Sequence, residues 1–279
     1  MRRETAIMLC LLASIACMAQ WGPRRFEKQP AENYELKVGR TSMVIDAANG
    51  ARIMSLKFDS TEVLSQVPAP NMYGSTFWTS PQKEWNWPPV REHDMMGYSV
   101  EKRDDGSLMM TSQLSEKIPL RISKHFATDE NEKCFVVTYS IKNEGTEDRS
   151  VAPWEITRVP AEGSIVFEAP VDSIWPAGLM NFKQFGTMAQ YTIDESENQR
   201  KINADGKGWL AYEHKGLVLL KRFPDLKPDE PAPGEAEIQV YVHNGKVYVE
   251  IESQGPYTLL HPGESLQWAV RWNLLPAKH

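Results

Sequence analysis

Apolar and polar residues alternate along most of the chain after residue 33, which is the pattern of strands with one buried face. Several alternating segments are joined by Asn-Gly or Asp-Gly turns, at residues 49–50, 105–106 and 244–245. Such dipeptides favour tight β-hairpins. Hairpins in series predict an all-β protein built as an antiparallel β-sandwich or barrel.

Longer features agree with one β domain. The segment 120–145 predicts two strands around a polar turn, and 264–275 predicts a last alternating strand. The strongest helical candidate lies within 176–190 and is weak. The Pro-rich stretch at 223–235 predicts a surface loop rather than a linker between domains, because the strand pattern continues on both sides. We therefore expect a single domain over residues 20–279.

Residues 1–19 have the order of a secretory signal peptide. Arg2 and Arg3 precede an apolar run from Ala6 to Ala16, and small residues follow. The run is too short to span a bilayer. Cleavage after Ala19 predicts a secreted or periplasmic protein.

The cysteines leave a second processing route open. Cleavage before Cys17, with lipid attached to that residue, is the less favoured alternative, because Ser14 stands where such signals usually carry Leu. After cleavage at Ala19, Cys134 is the one remaining cysteine. A single cysteine cannot form an internal disulfide, so the hydrophobic core must hold the fold together.

Composition narrows the classes of partner. Of the 279 residues, 41% are apolar, which is enough for a substantial core. The formal charge is −6, and no block of Lys and Arg follows residue 25. This argues against nucleic acid or an anionic membrane surface as the main partner. No apolar run after the signal peptide is long enough to span a membrane, and the oligomeric state is left open.

A polar strand face near the C terminus is the first candidate site. In KVYVEIES, Tyr248, Glu250 and Glu252 share one face because side chains alternate along a strand. Carboxylates beside tyrosines suit the binding of sugar hydroxyls, and Glu250 or Glu252 can act as a base. A solvent-facing sheet without a ligand is the alternative.

Histidine and arginine supply further candidates. His125 shares a predicted strand face with Arg121, and His93 follows a Trp-rich segment. Either histidine can donate or accept a proton near neutral pH, although structural roles are common for single histidines. Glu155 and Arg158 lie in one short strand, where they predict a salt bridge or ligands for a substrate hydroxyl or carboxylate.

The segment TFWTSPQKEWNWPPVREHD, residues 76–94, concentrates tryptophans and prolines, which predicts a loop. Flat aromatic rings match the C–H faces of sugars, and polar neighbours bind the hydroxyls. The segment is either a platform for a sugar or a plug over the core. Its candidate ligand-binding residues are Trp78, Gln82, Trp85, Asn86 and Trp87.

Several catalytic motifs do not occur in the sequence. There is no Gly-rich phosphate loop, no His-Glu-x-x-His, no cysteine pair for zinc and no G-x-S-x-G. This argues against nucleotide chemistry, zinc hydrolysis and serine hydrolysis. We predict no cofactor, and no residue spacing indicates a metal site.

Motifs at both ends of the predicted domain resemble the galactose-mutarotase-like superfamily. The opening segment is NGARIMSLKFDSTEVL, and the closing segment is YVEIESQGPYTLLHPGESLQWAVRW. FWTSPQKEWNWPP and PWEITRV resemble an uncharacterised secreted bacterial branch of the same superfamily. The order and spacing of these motifs carry the resemblance.

The resemblance implies an antiparallel β-supersandwich that binds carbohydrate on a concave sheet. It implies a general base at Glu250, with Glu252 in reserve, and a histidine as the acid. The family's His-Gly motif is absent, so His125 and His93 are the available candidates. We expect a carbohydrate-active protein, either an enzyme of epimerase, lyase or hydrolase type or a non-catalytic carbohydrate-binding protein. A structural sandwich that buries its tryptophans against another protein is a third interpretation.

Overall fold

The computed structural model describes residues 33–68 and 72–277, and the predicted signal peptide lies outside them. Two antiparallel sheets form this part of the chain. Within it, the longest α-helix is a single turn, α1 (Arg91–Asp94), and no helix is long and apolar enough to cross a membrane. The predicted all-β antiparallel sandwich is confirmed.

The strands are numbered in chain order. They are β1 (Asn33–Val38), β2 (Thr41–Asp46), β3 (Arg52–Phe58), β4 (Thr61–Glu62), β5 (Ser75–Ser80), β6 (Ser99–Lys102), β7 (Leu108–Thr111), β8 (Leu120–Asp129), β9 (Cys134–Asn143), β10 (Arg149–Val159), β11 (Ser164–Glu168), β12 (Lys183–Phe185), β13 (Met188–Thr192), β14 (Arg200–Ala204), β15 (Trp209–His214), β16 (Leu217–Arg222), β17 (Ile238–Val242), β18 (Val249–Gln254), β19 (Thr258–Leu260) and β20 (Ser265–Pro276). Short 3₁₀ turns lie at Gln82–Glu84, Val171–Ser173 and Asn244–Lys246.

Sheet 1 has the strand order β1-β2-β3-β5-β10-β18-β17-β14, with β4 beside β3 and β19 beside β10. Sheet 2 has the order β12-β13-β11-β15-β16-β20-β9-β8-β7-β6. β10 therefore lies inside sheet 1, between β5 and β18.

The hairpins predicted from sequence are confirmed. The β2–β3, β6–β7, β8–β9 and β17–β18 pairs are antiparallel neighbours joined by the predicted turns. The weak helical candidate at 176–190 is not a helix, because it contains β12 and the start of β13. The last alternating segment forms β20.

The turn between β2 and β3 is fastened to its surroundings. Gly50 has φ +71°, and a Cβ at this position would lie 2.3 Å from the carbonyl oxygen of Asp94, so a larger residue does not fit. The Lys124 ammonium donates to the Gly50 carbonyl oxygen at 2.6 Å. Burial lowers the pKa of Lys124 to about 7. The Gly50 amide donates to the Met96 carbonyl oxygen, which holds the segment that carries Asp94 against this turn.

A buried ion pair joins the two sheets. Glu155 on β10 lies 2.5 Å from the Lys221 ammonium on β16, and both side chains are 0% exposed. Tyr139 donates to the same carboxylate, and Lys221 also donates to Thr157. Burial lowers the pKa of Lys221, and the Glu155 carboxylate opposes that shift.

We predict that Glu155→Gln lowers the free energy of unfolding by about 3–5 kcal/mol, because it leaves the Lys221 charge buried without its counter-charge. The double variant Glu155→Gln with Lys221→Met should lose less unfolding free energy than Glu155→Gln alone, because no buried charge is left unpaired. Urea denaturation measures both effects. The exposed Glu35–Lys37 pair provides a control, since Glu35→Gln should change stability by less than about 1 kcal/mol. A loss in Glu155→Gln no larger than in this control would contradict the prediction.

Candidate functional site

The register of β10 sorts its side chains between two environments. Glu155 and Thr157 point toward sheet 2, where they contact Lys221. Because side chains alternate along a strand, Trp154 and Arg158 lie on the opposite, outer face of sheet 1.

Directly paired residues on neighbouring strands extend this outer face, which we call the polar face. It comprises Trp154, Ile156 and Arg158 on β10, Thr76, Trp78 and Ser80 on β5, Glu250, Glu252 and Gln254 on β18, Gln239 and Tyr241 on β17, and Lys201 and Asn203 on β14. The polar face brings together aromatic rings, carboxylates and cations from strands distant in sequence.

Arg158 and Glu250 form the first ion pair of the polar face. Nη2 of Arg158 lies 2.9 Å from Oε1 of Glu250, and Arg158 is only 3% exposed. Its Nε and Nη1 have no hydrogen-bond partner among the described residues. The Trp78 and Tyr248 rings lie 5.9 and 5.5 Å from its Cζ atom. Burial lowers the pKa of Arg158, but Glu250, Tyr248 and Asp94 together outweigh burial, so the pKa is raised.

Glu252 forms the second ion pair. Its Oε2 accepts from the Lys201 ammonium at 2.9 Å and from the Trp154 indole at 2.8 Å. The Lys201 ammonium also lies 4.8 Å from the Trp154 ring centroid, a cation–π contact. Burial raises the pKa of Glu252, Lys201 opposes that shift, and the Glu250 charge adds to it. Oε1 of Glu252 has no hydrogen-bond partner in the described part of the chain.

Asp94 positions the Trp78 side of the polar face. Its Oδ1 accepts from the Trp78 indole at 3.0 Å and from the Thr76 hydroxyl at 2.5 Å. The buried guanidinium of Arg52 also donates to it, at 3.0 Å. One carboxylate oxygen therefore fixes a ring, a hydroxyl and a cation from β3 and β5.

The Trp-rich segment divides into a strand, a plug and an exposed ring. Its first residues belong to β5, inside sheet 1. The predicted loop is therefore wrong for residues 76–80, because the prolines that disfavour a strand begin only at Pro81. Trp85 is 1% exposed and donates to the Thr79 carbonyl oxygen, so it packs in the core. Trp87 is 69% exposed and meets the Trp78 ring edge-on at 6.1 Å.

The polar residues of this segment lie beside the exposed ring. Gln82 is half-buried at the start of the 3₁₀ turn, and its carbonyl oxygen accepts from the Asn86 amide. Asn86 is exposed with φ +55° and directly precedes Trp87. Their role in ligand binding stays a prediction.

The accessible rim of the polar face differs from its floor. Trp78, Trp154, Tyr248 and both glutamates are buried by their neighbours. The exposed or half-exposed rim residues are Trp87, Lys201, Tyr241 and His243. The His243 ring lies 4.6 Å from the Tyr248 ring and 6.3 Å from the Tyr241 ring. A ligand reaching this face meets the rim first.

Two predicted site residues lie on the other sheet. Arg121 and His125 are half-buried on β8 of sheet 2, where their side chains alternate with core residues. Arg121 forms a two-bond salt bridge with Glu144, and His125 contacts the Ser107 hydroxyl. The structure does not bring the predicted acid His125 together with the predicted base Glu250, because they belong to different sheets.

His93 and Glu155 are buried structural residues. The Nε2 atom of His93 lies 3.0 Å from the Leu120 carbonyl oxygen on sheet 2, so we assign it as the proton-bearing nitrogen. Burial lowers the pKa of His93 to about 4. Glu155 pairs with Lys221 rather than Arg158, because positions three apart on a strand point to opposite faces. The contacts of both residues lie within the fold, and the acid role of His93 and the ligand role of Glu155 stay predictions.

Sequence reasoning missed Asp94, Lys201 and Trp154 as parts of the site. Lys201 shares its strand face with Asn203, and the alternation of β14 is the signal that places it on the polar face. Asp94 lies 16 positions from Trp78, and nothing in the local pattern indicates their contact.

One group of three potential metal ligands occurs among the described residues, formed by Asp129, Glu132 and Cys134. Arg271 donates to Asp129 and Cys134, and Arg222 donates to Glu132. Because arginine cations already bind these groups, the cluster functions as an ion-pair network on sheet 2 rather than as a cation site.

No protein-family model matches the sequence, and no curated protein matches it. Solved structures do resemble the fold. A candidate aldose 1-epimerase from Escherichia coli K12 superposes with a TM-score of 0.64 and 12% identity, over 88% of this chain and 100% of that one. A galactose mutarotase-like protein from Lactobacillus casei ATCC 334 superposes with a TM-score of 0.61 and 12% identity, over 87% of this chain and 100% of that one.

A longer protein contains the same architecture. A TPR-domain containing protein from Parabacteroides distasonis gives a TM-score of 0.65 and 13% identity, over 89% of this chain and 48% of that one. Identities this low show the fold alone. The resemblance to the galactose-mutarotase-like superfamily is thus confirmed for the β-supersandwich fold, and the residue roles it implies stay predictions.

We predict that His93 makes stability depend on pH. Its folded pKa of about 4 is below the ordinary value of 6.5, so between these values the unfolded chain binds more protons. Unfolding free energy should therefore fall as pH drops from 6.5 to 4, by roughly 3 kcal/mol from this residue. Urea denaturation across this range measures the fall, and His93→Gln should show a smaller one.

Glu237 also contributes to the pH dependence, because burial raises its pKa to about 7. The difference between wild type and His93→Gln isolates the contribution of His93 from that of Glu237. The exposed His261 provides a control. Asp148 raises its pKa, so its contribution to stability increases as pH falls, opposite to that of His93. Identical pH profiles for wild type and His93→Gln would contradict the prediction.

Proposed function

We propose that the protein binds a carbohydrate at the polar face of sheet 1. The observation that carries this proposal is the exposed Trp87 ring, packed edge-on against Trp78, at the rim of a face that holds two ion pairs, Arg158–Glu250 and Lys201–Glu252. Indole rings match the apolar faces of sugars, whereas carboxylates and cations bind hydroxyls as acceptors and donors.

The charge balance of the face favours a neutral ligand. Each glutamate is matched by one cation at 2.9 Å, so the pairs carry no net charge. A neutral hydroxyl can bond to the half-exposed Lys201 ammonium or Tyr241 hydroxyl at the rim without separating either pair. The names of the structural neighbours, an aldose epimerase candidate and a mutarotase-like protein, support the same ligand class.

The proposal includes export of the protein. It rests on the predicted signal peptide at residues 1–19, with cleavage after Ala19. A carbohydrate-binding protein outside the cytoplasm meets polysaccharides and their fragments at the cell envelope.

Acid–base catalysis on the bound sugar is a second candidate function. The observation in its favour is the proximity of His243 to Tyr248, which lies beside the Arg158–Glu250 pair. A carboxylate, a phenol and an imidazole then occupy one end of the face. Simple binding is favoured over this function because Arg158 already engages the Glu250 carboxylate, which a general base needs free.

Anomeric exchange observed by NMR separates the two functions. An enzyme should accelerate exchange or cleavage for at least one sugar, and both Glu250→Gln and His243→Gln should abolish that acceleration. Binding without turnover on every sugar supports the first function. Equal turnover by wild type and Glu250→Gln would show that Glu250 is not the general base.

We predict that Trp87→Ala weakens binding to a glycan selected on an array by about tenfold, or roughly 1.4 kcal/mol. Trp87 is exposed, so its removal deletes a ring from the rim without opening the core. Isothermal titration calorimetry measures the change. Phe185→Ala is the matched control, because Phe185 is 52% exposed at the edge of sheet 2. Wild-type affinity in both Trp87→Ala and Tyr241→Ala would place the ligand elsewhere.

A further inference from the structure

An open cavity of about 590 Å³ lies at the end of the sandwich next to the polar face. Three chain segments line it, at residues 65–67, 160–162 and 245–247, together with Glu197. This volume is within the range of small-molecule binding sites.

The cavity and the polar face share the β17–β18 connection. The His243 amide donates to the Tyr248 carbonyl oxygen, so His243 and Tyr248 close this connection on the side of the polar face. The residues between them, Gly245 to Val247, line the cavity. The Gly245 amide donates to the Glu197 carbonyl oxygen, which ties the opposite wall to the same turn.

The end of β10 makes the second junction. Arg158 belongs to the polar face, and Pro160, two residues later, lines the cavity. The Arg158 carbonyl oxygen accepts from the Ser65 amide, and Ser65 also lines the cavity. The Arg158 backbone therefore links the polar face to the cavity wall.

The cavity carries the groups that a sugar needs. Glu162 and Glu197 are exposed carboxylates that can accept hydrogen bonds from hydroxyls. The Lys246 ammonium is a donor, currently paired with Glu195. Val247 is an exposed apolar side chain that can pack against a ring face.

The whole surface is longer than one sugar ring. Trp87 contacts Trp78 at one end, and Trp78 pairs with Trp154 across β5 and β10. From Trp154 to Pro160 the chain advances six positions, or roughly 20 Å at the rise of an extended strand. The cavity begins at that far end.

We propose that the ligand is a linear oligosaccharide that spans the polar face and seats its far units in the cavity lined by Glu162, Glu197 and Val247. This inference rests on the proposed function and specifies its ligand class. One unit contacts the rim beside Trp87, and the chain continues past Tyr241 into the cavity.

The test is a length series. Linear glucan, xylan, mannan, galactan and chitin fragments of one to six units are titrated into the protein by calorimetry. The expected result is that the longest fragments of one glycan bind at least about tenfold more tightly than its monosaccharide, or roughly 1.4 kcal/mol. Glu162→Gln combined with Glu197→Gln should remove that gain and leave monosaccharide affinity unchanged.

Controls separate this inference from the proposed function. Glu101→Gln changes an exposed carboxylate on sheet 2 and should bind every length as wild type does. Trp87→Ala should weaken short and long fragments alike. Equal affinity for all lengths overturns the oligosaccharide inference but is consistent with the proposed sugar binding at the polar face. Absence of binding by wild type to every fragment overturns both.

Discussion

The Glu155–Lys221 ion pair joins the two sheets at the middle of the sandwich, and its position sets the register of β10. A shift of one residue would turn Glu155 outward and drive Trp154 and Ile156 into the gap between the sheets. It would also leave Lys221 buried without its counter-charge, which is costly in a medium of low polarity. The pair therefore specifies which side chains of β10 face outward.

The polar face depends on that register. With Glu155 inward, Arg158 stands directly opposite Glu250 on β18, and Ile156 stands opposite Glu252. Glu252 reaches the Trp154 indole and the Lys201 ammonium from neighbouring positions. The buried carboxylates of this face thus hold their partners in fixed orientations, and the exposed rim rests on a rigid floor.

The strand order along the chain could be predicted because turns and alternation are local signals. Asn49-Gly50 and Asn244-Gly245 mark hairpins wherever they stand between alternating segments. The faces of β18 followed from the same alternation, which placed Glu250 and Glu252 together correctly.

The composition of the site could not be predicted to the same extent, because it depends on pairing between distant strands. Alternation shows that His125 and Arg121 share a face, but the same pattern occurs on both sheets, and only the strand order places them on sheet 2. Asp94 reaches Trp78 through the fold of a short helix, for which no periodicity exists. The prolines led to the wrong prediction of a loop around Trp78, because strand β5 ends just before Pro81.

The ion pairs of the floor also restrict the charge of a ligand. An anion binding Arg158 would compete with Glu250 and leave that carboxylate buried without its partner. A cation binding Glu252 would compete with Lys201 in the same way. A hydroxyl carries no net charge and can bond to the half-exposed Lys201 and Tyr241 at the rim while both pairs stay closed. In the proposed function, the face therefore discriminates by the cost of desolvation, which is lowest for a neutral, polyhydroxylated molecule.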